Sequence, residues 1–336
     1  MIEIPGDYLE GGGQILRTAL ALSAVTGKPM HVYNIRAKRP KPGLKAQHFH
    51  AFKAVAEITD AQYKGLEIGS REIEFIPKTL KSKFLSIDVG TAGSIGLLLQ
   101  SLLLPACFCP QGLHLKIRGG TCGKGQIPIE YYDGVILPLL KKIGVSIKLN
   151  LLRRGYYPKG GGEIGISVSK IQNFSPLVLV EQGKILKIRG LSHAAKYLEK
   201  AKVAERQAQK VEEILKRLNV PIEIEVEYAD TLSPGSGIVL WVETETGALF
   251  GADALGERSK PAERVGEEVA IKLIKEIESN APVDKHLADN LVPWLAFCGG
   301  EVRVSEITLH TQTNIWVCEL FLGKIFAVKD NIIKRI

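Results

Sequence analysis

IEYYDGVILPLLKKIGVSIKLNLLRRGYYPKGGGEIGISV, residues 129–168, holds the plan of the chain in miniature. From Ile129 to Gly144 the apolar side chains recur at helical intervals and the run ends on glycine, which predicts a helix. VSIKLNLL then alternates apolar and polar, RRGYYPKGGG is a turn rich in glycine, and EIGISV alternates again, so two strands joined by a turn follow the helix. The same order recurs on either side. A helix from about Ala46 to Ile58 leads into GLEIGSREIEFIP, and HLADNLVPWLAFCGG leads into EVRVSEITLHTQTNIWVCELFL, Glu301 to Leu322. The last segment reads as two strands around a polar turn, with His310 closing the first after Val302, Val304, Ile307 and Leu309. Between the first two units lies a glycine-led helix, GTAGSIGLLLQSLLLP, in which Gln100 is the polar residue able to face inward. Three helix-plus-hairpin units predict an α/β protein built by internal duplication, with helices on one face of each small sheet.

Residues 181–281 break the pattern. A strand, KILKIRG, precedes a long charged helix, LEKAKVAERQAQKVEEILKRL, then the strands IEIEVEY and GIVLWVET and a closing helix from about Pro261 to Glu278. This is the expected composition of a separate α/β domain inserted into a larger one formed by 1–180 and 282–336. His193 and the Lys/Glu-rich helix read as structural and solvated.

Charge follows the same division. The chain carries 44 Lys+Arg against 36 Asp+Glu, a net of +8; residues 181–280 hold 15 and 18 of these, leaving 29 and 18 elsewhere. From His31 to Lys53 there are six basic residues and no acidic one. Such a run is either a solvated face or a phosphate-binding surface. No apolar stretch is long enough to span a membrane, since Ile95 to Phe108 is interrupted by Gln100, Ser101 and Pro105. The N-terminus has neither a basic leader nor an apolar signal core, so a cytoplasmic protein is expected. The five cysteines, Cys107, Cys109, Cys122, Cys298 and Cys318, are odd in number and sit in apolar company. Buried structural thiols explain them better than a metal set of Cys107, Cys109, His114 and Cys122.

Two stretches carry candidate chemistry on the residues alone. EGGGQILRTALALSAVTGKP places Glu10 and three glycines ahead of a helix from about Gln14 to Val25. Glycines there either admit an anion to backbone N–H groups at a helix N-terminus or serve a tight turn. Neither common nucleotide loop is present: there is no GxxxxGK[ST], and Leu16 stands where GxGxxG needs its last glycine. A strand, His31 to Ile35, then leads into RAKRPKPGLKAQH, which concentrates Arg36, Arg39, Gln47 and His48 in thirteen residues. His310, at a strand mouth with threonine and glutamine behind it, is a candidate nucleophile or proton carrier.

EGGGQILRTALALS, RAKRPKPGLKAQH, RGYYPKGGG and HLADNL with VSEITLHTQTNIWV occur in the order that resembles the RNA 3′-terminal phosphate cyclases, and the resemblance covers the outer domain from end to end. It implies three βαβαββ units, like the C-terminal domain of a translation initiation factor, with a smaller thioredoxin-like insert. It also implies an ATP-dependent activity in three steps: a histidine takes AMP from ATP, AMP passes to an RNA 3′-phosphate, and the vicinal 2′-OH closes a 2′,3′-cyclic phosphate. On this resemblance the nucleophile falls on His310. ATP and phosphate contacts fall on Glu10, Arg17, Arg36, Arg39, Gln47, His48 and Gln100, and on the segment His286, Leu287, Ala288, Asp289 and Asn290. Glu10 is the metal candidate, for Mg²⁺ or Mn²⁺, and Asp289 is the expected polar partner of the histidine or metal. The expected partners are RNA with a 3′-phosphate end and ATP, with no membrane, and a homo-oligomer is the general expectation for a soluble chain.

Three other readings compete. Cyclase-like proteins of ribosomal RNA maturation make no adenylate, but as relatives they lack the histidine and parts of the pocket kept here. A plain nucleic-acid-binding protein would use the basic outer domain without covalent chemistry. A small-molecule transferase of the shikimate type shares the repeat architecture but neither the single insert nor His310.

Overall fold

The computed structural model describes residues 1–336. Alternation of buried and more exposed side chains along most of the strands builds three four-stranded sheets of identical topology, each made by one βαβαββ unit. The first unit runs β1 (Ile2–Pro5), α1 (Gln14–Thr26), β2 (Met30–Tyr33), α2 (Ala46–Thr59), β3 (Gln62–Lys64) and β4 (Ile73–Ile76). The second runs β5 (Phe84–Asp88), α3 (Ile95–Phe108) and β6 (Leu113–Gly119). Its second helix is α4 (Ile129–Tyr131) joined by a π-turn, Tyr132–Ile136, to α5 (Leu137–Lys142), and β7 (Ile147–Arg153) and β8 (Gly162–Val168) follow. The third opens with β9 (Leu177–Leu179).

Before the third unit continues, the chain makes β10 (Ile185–Ala195), α6 (Val203–Leu215), β11 (Ile222–Ala229), β12 (Ser236–Thr244), β13 (Leu249–Leu255) and α7 (Ala262–Glu278). These form a sheet of order β11-β10-β12-β13, parallel only at β10 and β11. Its own apolar core includes Ile188, Val211, Leu240, Phe250 and Leu273. The third unit then resumes with α8 (Lys285–Cys298), β14 (Gly300–Arg303), α9 (Leu309–Leu322), β15 (Phe326–Lys329) and β16 (Ile332–Arg335).

In each repeat the first strand pairs parallel with the second, which pairs antiparallel with the last, giving β1-β2-β4-β3, β5-β6-β8-β7 and β9-β14-β16-β15. The second helix of one unit lies against the first of the next, α2 on α3 and α9 on α1. The cycle closes where the Tyr131 hydroxyl of α4 donates to Asp284, the N-cap of α8. One core of 68 buried apolar residues runs through all three repeats. All five cysteines are free and buried.

Two expectations are corrected. Glu301–Leu322 is one short strand followed by a helix, so His310 stands in the first turn of α9, and the hairpin of the third repeat is Phe326–Arg335. The alternation was misleading because α9 packs against α1 on one side and α8 on another and therefore buries polar Thr311, Thr313 and Asn314 beside Val317, Cys318 and Phe321. The long charged helix of the insert is broken: Lys196–Ala201 is a 3₁₀ turn, Lys202 adopts φ 51°, and α6 begins only at Val203.

Candidate active site

Four helices drawn from the three repeats bring polar faces together. On α1, Gln14, Arg17 and Thr18 lie at i, i+3 and i+4 and form a buried polar stripe on an otherwise apolar helix. Each residue reaches a different partner. Gln14 meets His310 of α9, the Arg17 Nε–H donates to Gln100 Oε1 of α3 at 2.6 Å, and the Thr18 hydroxyl donates to Asn314 Oδ1 of α9 at 2.7 Å. Gln100 in turn donates from Nε2 to Asn290 Oδ1 of α8 at 2.9 Å.

His310 is held by a glutamine acting with both ends. Gln14 Nε2 donates to the His310 carbonyl at 3.5 Å, which turns Oε1 toward the imidazole Nδ1. An amide oxygen only accepts, so Nδ1 carries the proton and the Nε2 lone pair is free. Nε2 lies 3.9 Å from Glu10 Oε1. Burial of the inner side of the ring, then the positive charges of Arg17 and Arg39, press the His310 pKa down to about 4. The ring is uncharged at neutral pH while 45% of the side chain stays open to solvent.

Glu10 is almost buried and pairs with Arg39 across the cleft. Neither carboxylate oxygen finds a well-aligned hydrogen bond. The glycines beside it have different tasks. Gly11 adopts φ 62°, whereas Gly12 and Gly13 are bare because a Cβ would strike the Glu10 carboxylate and His48 Nε2, respectively. His48 is 3% exposed, its Nδ1 accepts from the Lys45 N–H at 3.1 Å, and its Nε2 has no partner. Burial and then the nearby Arg17 drive its pKa well below that of free histidine. Arg17, buried beside Arg36, is itself lowered to about 10, chiefly by desolvation.

Other candidates fall in different places. Arg36, with φ 55°, spends Nη1 on the Lys41 and Gly43 carbonyls at 2.8 and 2.7 Å and so braces the basic loop. Gln47 Oε1 accepts from the Ser94 N–H, tying the first turn of α2 to that of α3. In the segment His286–Asn290, His286 is exposed and Asn290 meets Gln100, but Leu287 and Ala288 are core residues with 0% and 1% exposure. They cannot line a pocket. Asp289 does not touch His310; its Oδ1 accepts from the Thr308 and Thr311 hydroxyls at 3.0 and 2.8 Å. Thr308 caps α9 by accepting from the Thr311 N–H, so Asp289 fixes the turn that presents His310. Burial pushes the Asp289 pKa up to about 7 against the pull of the two hydroxyls. Gln14 is the residue the sequence reading passed over, although its place in the polar stripe of α1 was visible.

No group of three or more His, Cys, Asp or Glu side chains could hold a metal ion. The cleft does offer one buried carboxylate with underused oxygens, Glu10, which fits an ion whose remaining ligands come from phosphates and water.

Fold and cleft together define a class: a three-repeat α/β protein with an inserted unit, whose repeats converge on a basic cleft around an uncharged histidine. The profile of the RNA 3′-terminal phosphate cyclase family matches residues 8–328, and the chain belongs to that family. It is 48% identical over 332 residues to the RNA 3′-terminal phosphate cyclase of Pyrococcus abyssi, covering 99% of this chain and 96% of that one. The protein of the same description from Pyrococcus furiosus is also 48% identical over 332 residues, with the same coverage. That from Ignicoccus hospitalis is 47% identical over 333 residues, covering 97% and 94%. No helix is long and apolar enough to cross a membrane.

Proposed function

We propose that the chain is an ATP-dependent RNA 3′-terminal phosphate cyclase of the cytoplasm that works through a covalent adenylate on His310. The observation that carries the reading is the two-ended grip of Gln14, which leaves the Nε2 lone pair of an uncharged imidazole facing the cleft. Nε2 attacks the α-phosphorus of ATP, forming an N–P bond as the bond to the β-phosphate bridge breaks and pyrophosphate leaves. An oxygen of an RNA 3′-phosphate then takes the adenylyl group, breaking the N–P bond and giving RNA(3′)pp(5′)A. Attack by the vicinal 2′-OH on the 3′-phosphorus expels AMP, closes the cyclic phosphate and releases the hydroxyl proton. Adenylation supplies the leaving group that a bare phosphate oxygen lacks.

Positioning and charge carry most of the cost of phosphoryl transfer. Arg17 and Arg39 flank the histidine, and the unpaired Nε2 of His48 adds a donor beside Gly13. Glu10 would hold a Mg²⁺ or Mn²⁺ ion, which when bound offsets phosphate charge. The two structural units read as domains, 1–180 with 282–336 and 181–281, supported by their separate apolar cores. Incubation with α-labelled ATP and a divalent ion tests the reading: wild type gives an acid-labile, base-stable protein adduct and His310→Ala gives none. Absence of an adduct in wild type favours a non-catalytic RNA-binding relative, and labelling of the variant removes His310 as nucleophile.

A further inference from the structure

The aromatic pair Tyr8 and Trp316 lies beside the cleft, Trp316 half-buried against the main core and Tyr8 open to solvent. Tyr8 sits two residues before Glu10, in the loop ahead of α1, and Trp316 lies on α9, the helix that begins at His310. Their ring centroids are 4.4 Å apart with planes 38° from parallel. Tyr8 is 45% exposed and Leu309, one helical heptad before Trp316 and on the same face of α9, is 55% exposed. Between Tyr8 and Glu10, Leu9 is held at φ 45°, a left-handed backbone that a leucine rarely adopts. The basic loop closes on the same segment: Lys38 Nζ donates to the Leu9 carbonyl at 3.4 Å and Arg39 pairs with Glu10. Lys41, three residues beyond Lys38 in the same loop, is also exposed.

An exposed ring backed by a half-buried one and flanked by cations suits a single-stranded nucleic acid, whose bases stack while its phosphates run along the charge. We infer that Tyr8 and Trp316 form a stacking platform for the terminal nucleobase of the RNA, with Lys38 and Lys41 tracking the phosphates behind it. This rests on the function proposed above. Occupancy by the adenine of ATP is the weaker alternative. Gln100 on α3 with Asn290 and His286 on α8 remain for one nucleotide, and the lysines that flank Arg39 exceed what a single triphosphate needs. The platform recognises a π-face and not a base edge, so it predicts indifference to base identity and sensitivity to base removal.

The test uses a short RNA ending in a 3′-phosphate, with either an ordinary or an abasic terminal nucleotide. Wild type is expected to cyclise the ordinary end at least about tenfold more efficiently in kcat/KM, from the stacking of one base. Tyr8→Ala, at a side chain outside the core, and Trp316→Leu, which keeps apolar packing on α9, bring the ratio to near one. Trp316→Phe retains most of it. Labelling by α-labelled ATP without RNA is read in every variant. A wild type that treats both ends alike, or variants that keep the full ratio, overturn the platform. Loss of labelling in a folded Tyr8→Ala variant assigns the pair to adenine and overturns it too. Failure of wild type to label at all would instead overturn the proposed function.

Discussion

At the scale of single residues, two shifted titrations govern the cleft and run in opposite senses. His310 is lowered to about 4, so acidification below neutrality leaves the nucleophile uncharged until the pH approaches that value. Single-turnover adenylate formation should therefore keep its plateau through pH 6, where a free histidine with pKa 6.5 would already be mostly protonated, and lose half its rate near pH 4. An acid limb centred near 6.5 would show that the ring is not desolvated. Gln14→Ala frees the tautomer and the ring orientation together, and a drop of about 10²-fold in the same rate is expected from misplacement alone. Asp289 is raised from 3.8 to about 7, so the folded protein holds that proton more tightly than the unfolded chain does. The resulting stabilisation is full below about pH 4 and fades as the pH rises through 7. Asp289→Asn, which keeps an oxygen for Thr308 and Thr311, should flatten this part of the stability–pH curve in urea melts. An unchanged slope would assign it to other groups.

At the scale of elements, the first turns of α1 and α9 form the site, and they differ in how clearly the sequence announced them. EGGGQ marked the start of α1 through its glycines, and the helix begins at Gln14 as read. The role of those glycines was only half visible, because spacing cannot show that Gly13 is kept bare by a histidine on α2. Gly13→Ala is expected to leave the φ of −76° unstrained yet push His48 and Arg17 aside, lowering adenylation with little loss of thermal stability. A melting temperature that falls together with activity would make the glycine structural. α9 was misread because Thr308, its cap, looked like one more polar residue in a turn, and because a helix packed on two sides lacks a single apolar stripe. The resemblance points Asp289 at the histidine or a metal, whereas its bonds are to the capping threonines. Thr308→Ala should cost about 1 kcal/mol of stability, as loss of an N-cap usually does, and slow adenylation because His310 sits in the freed turn.

At the scale of the molecule, the repeats and the insert were legible from pattern and charge, but their junction was not, since it is made by residues far apart in the chain. Arg154, with its side chain 1% exposed, follows β7 and donates through Nε and Nη2 to Glu227 of β11, at 2.7 and 2.9 Å, and through Nη1 to buried Glu130 of α4. Beside it the Tyr156 hydroxyl meets His193 Nδ1 at 2.7 Å, joining the second repeat to β10. RRGYYPKGGG, which looked like a hairpin turn, is thus also the seat of the insert. Removing Arg154 strands the buried Glu130 carboxylate, whereas Glu227 is 41% exposed and can be solvated, so Arg154→Ala should cost about 3 to 5 kcal/mol in denaturant unfolding, the range seen for broken buried pairs. Arg154→Met with Glu130→Leu removes both buried charges and replaces them with apolar volume, and should recover part of that loss. If the single and double variants are equally unstable, the cost lies in packing around Arg154 and not in a stranded Glu130 carboxylate.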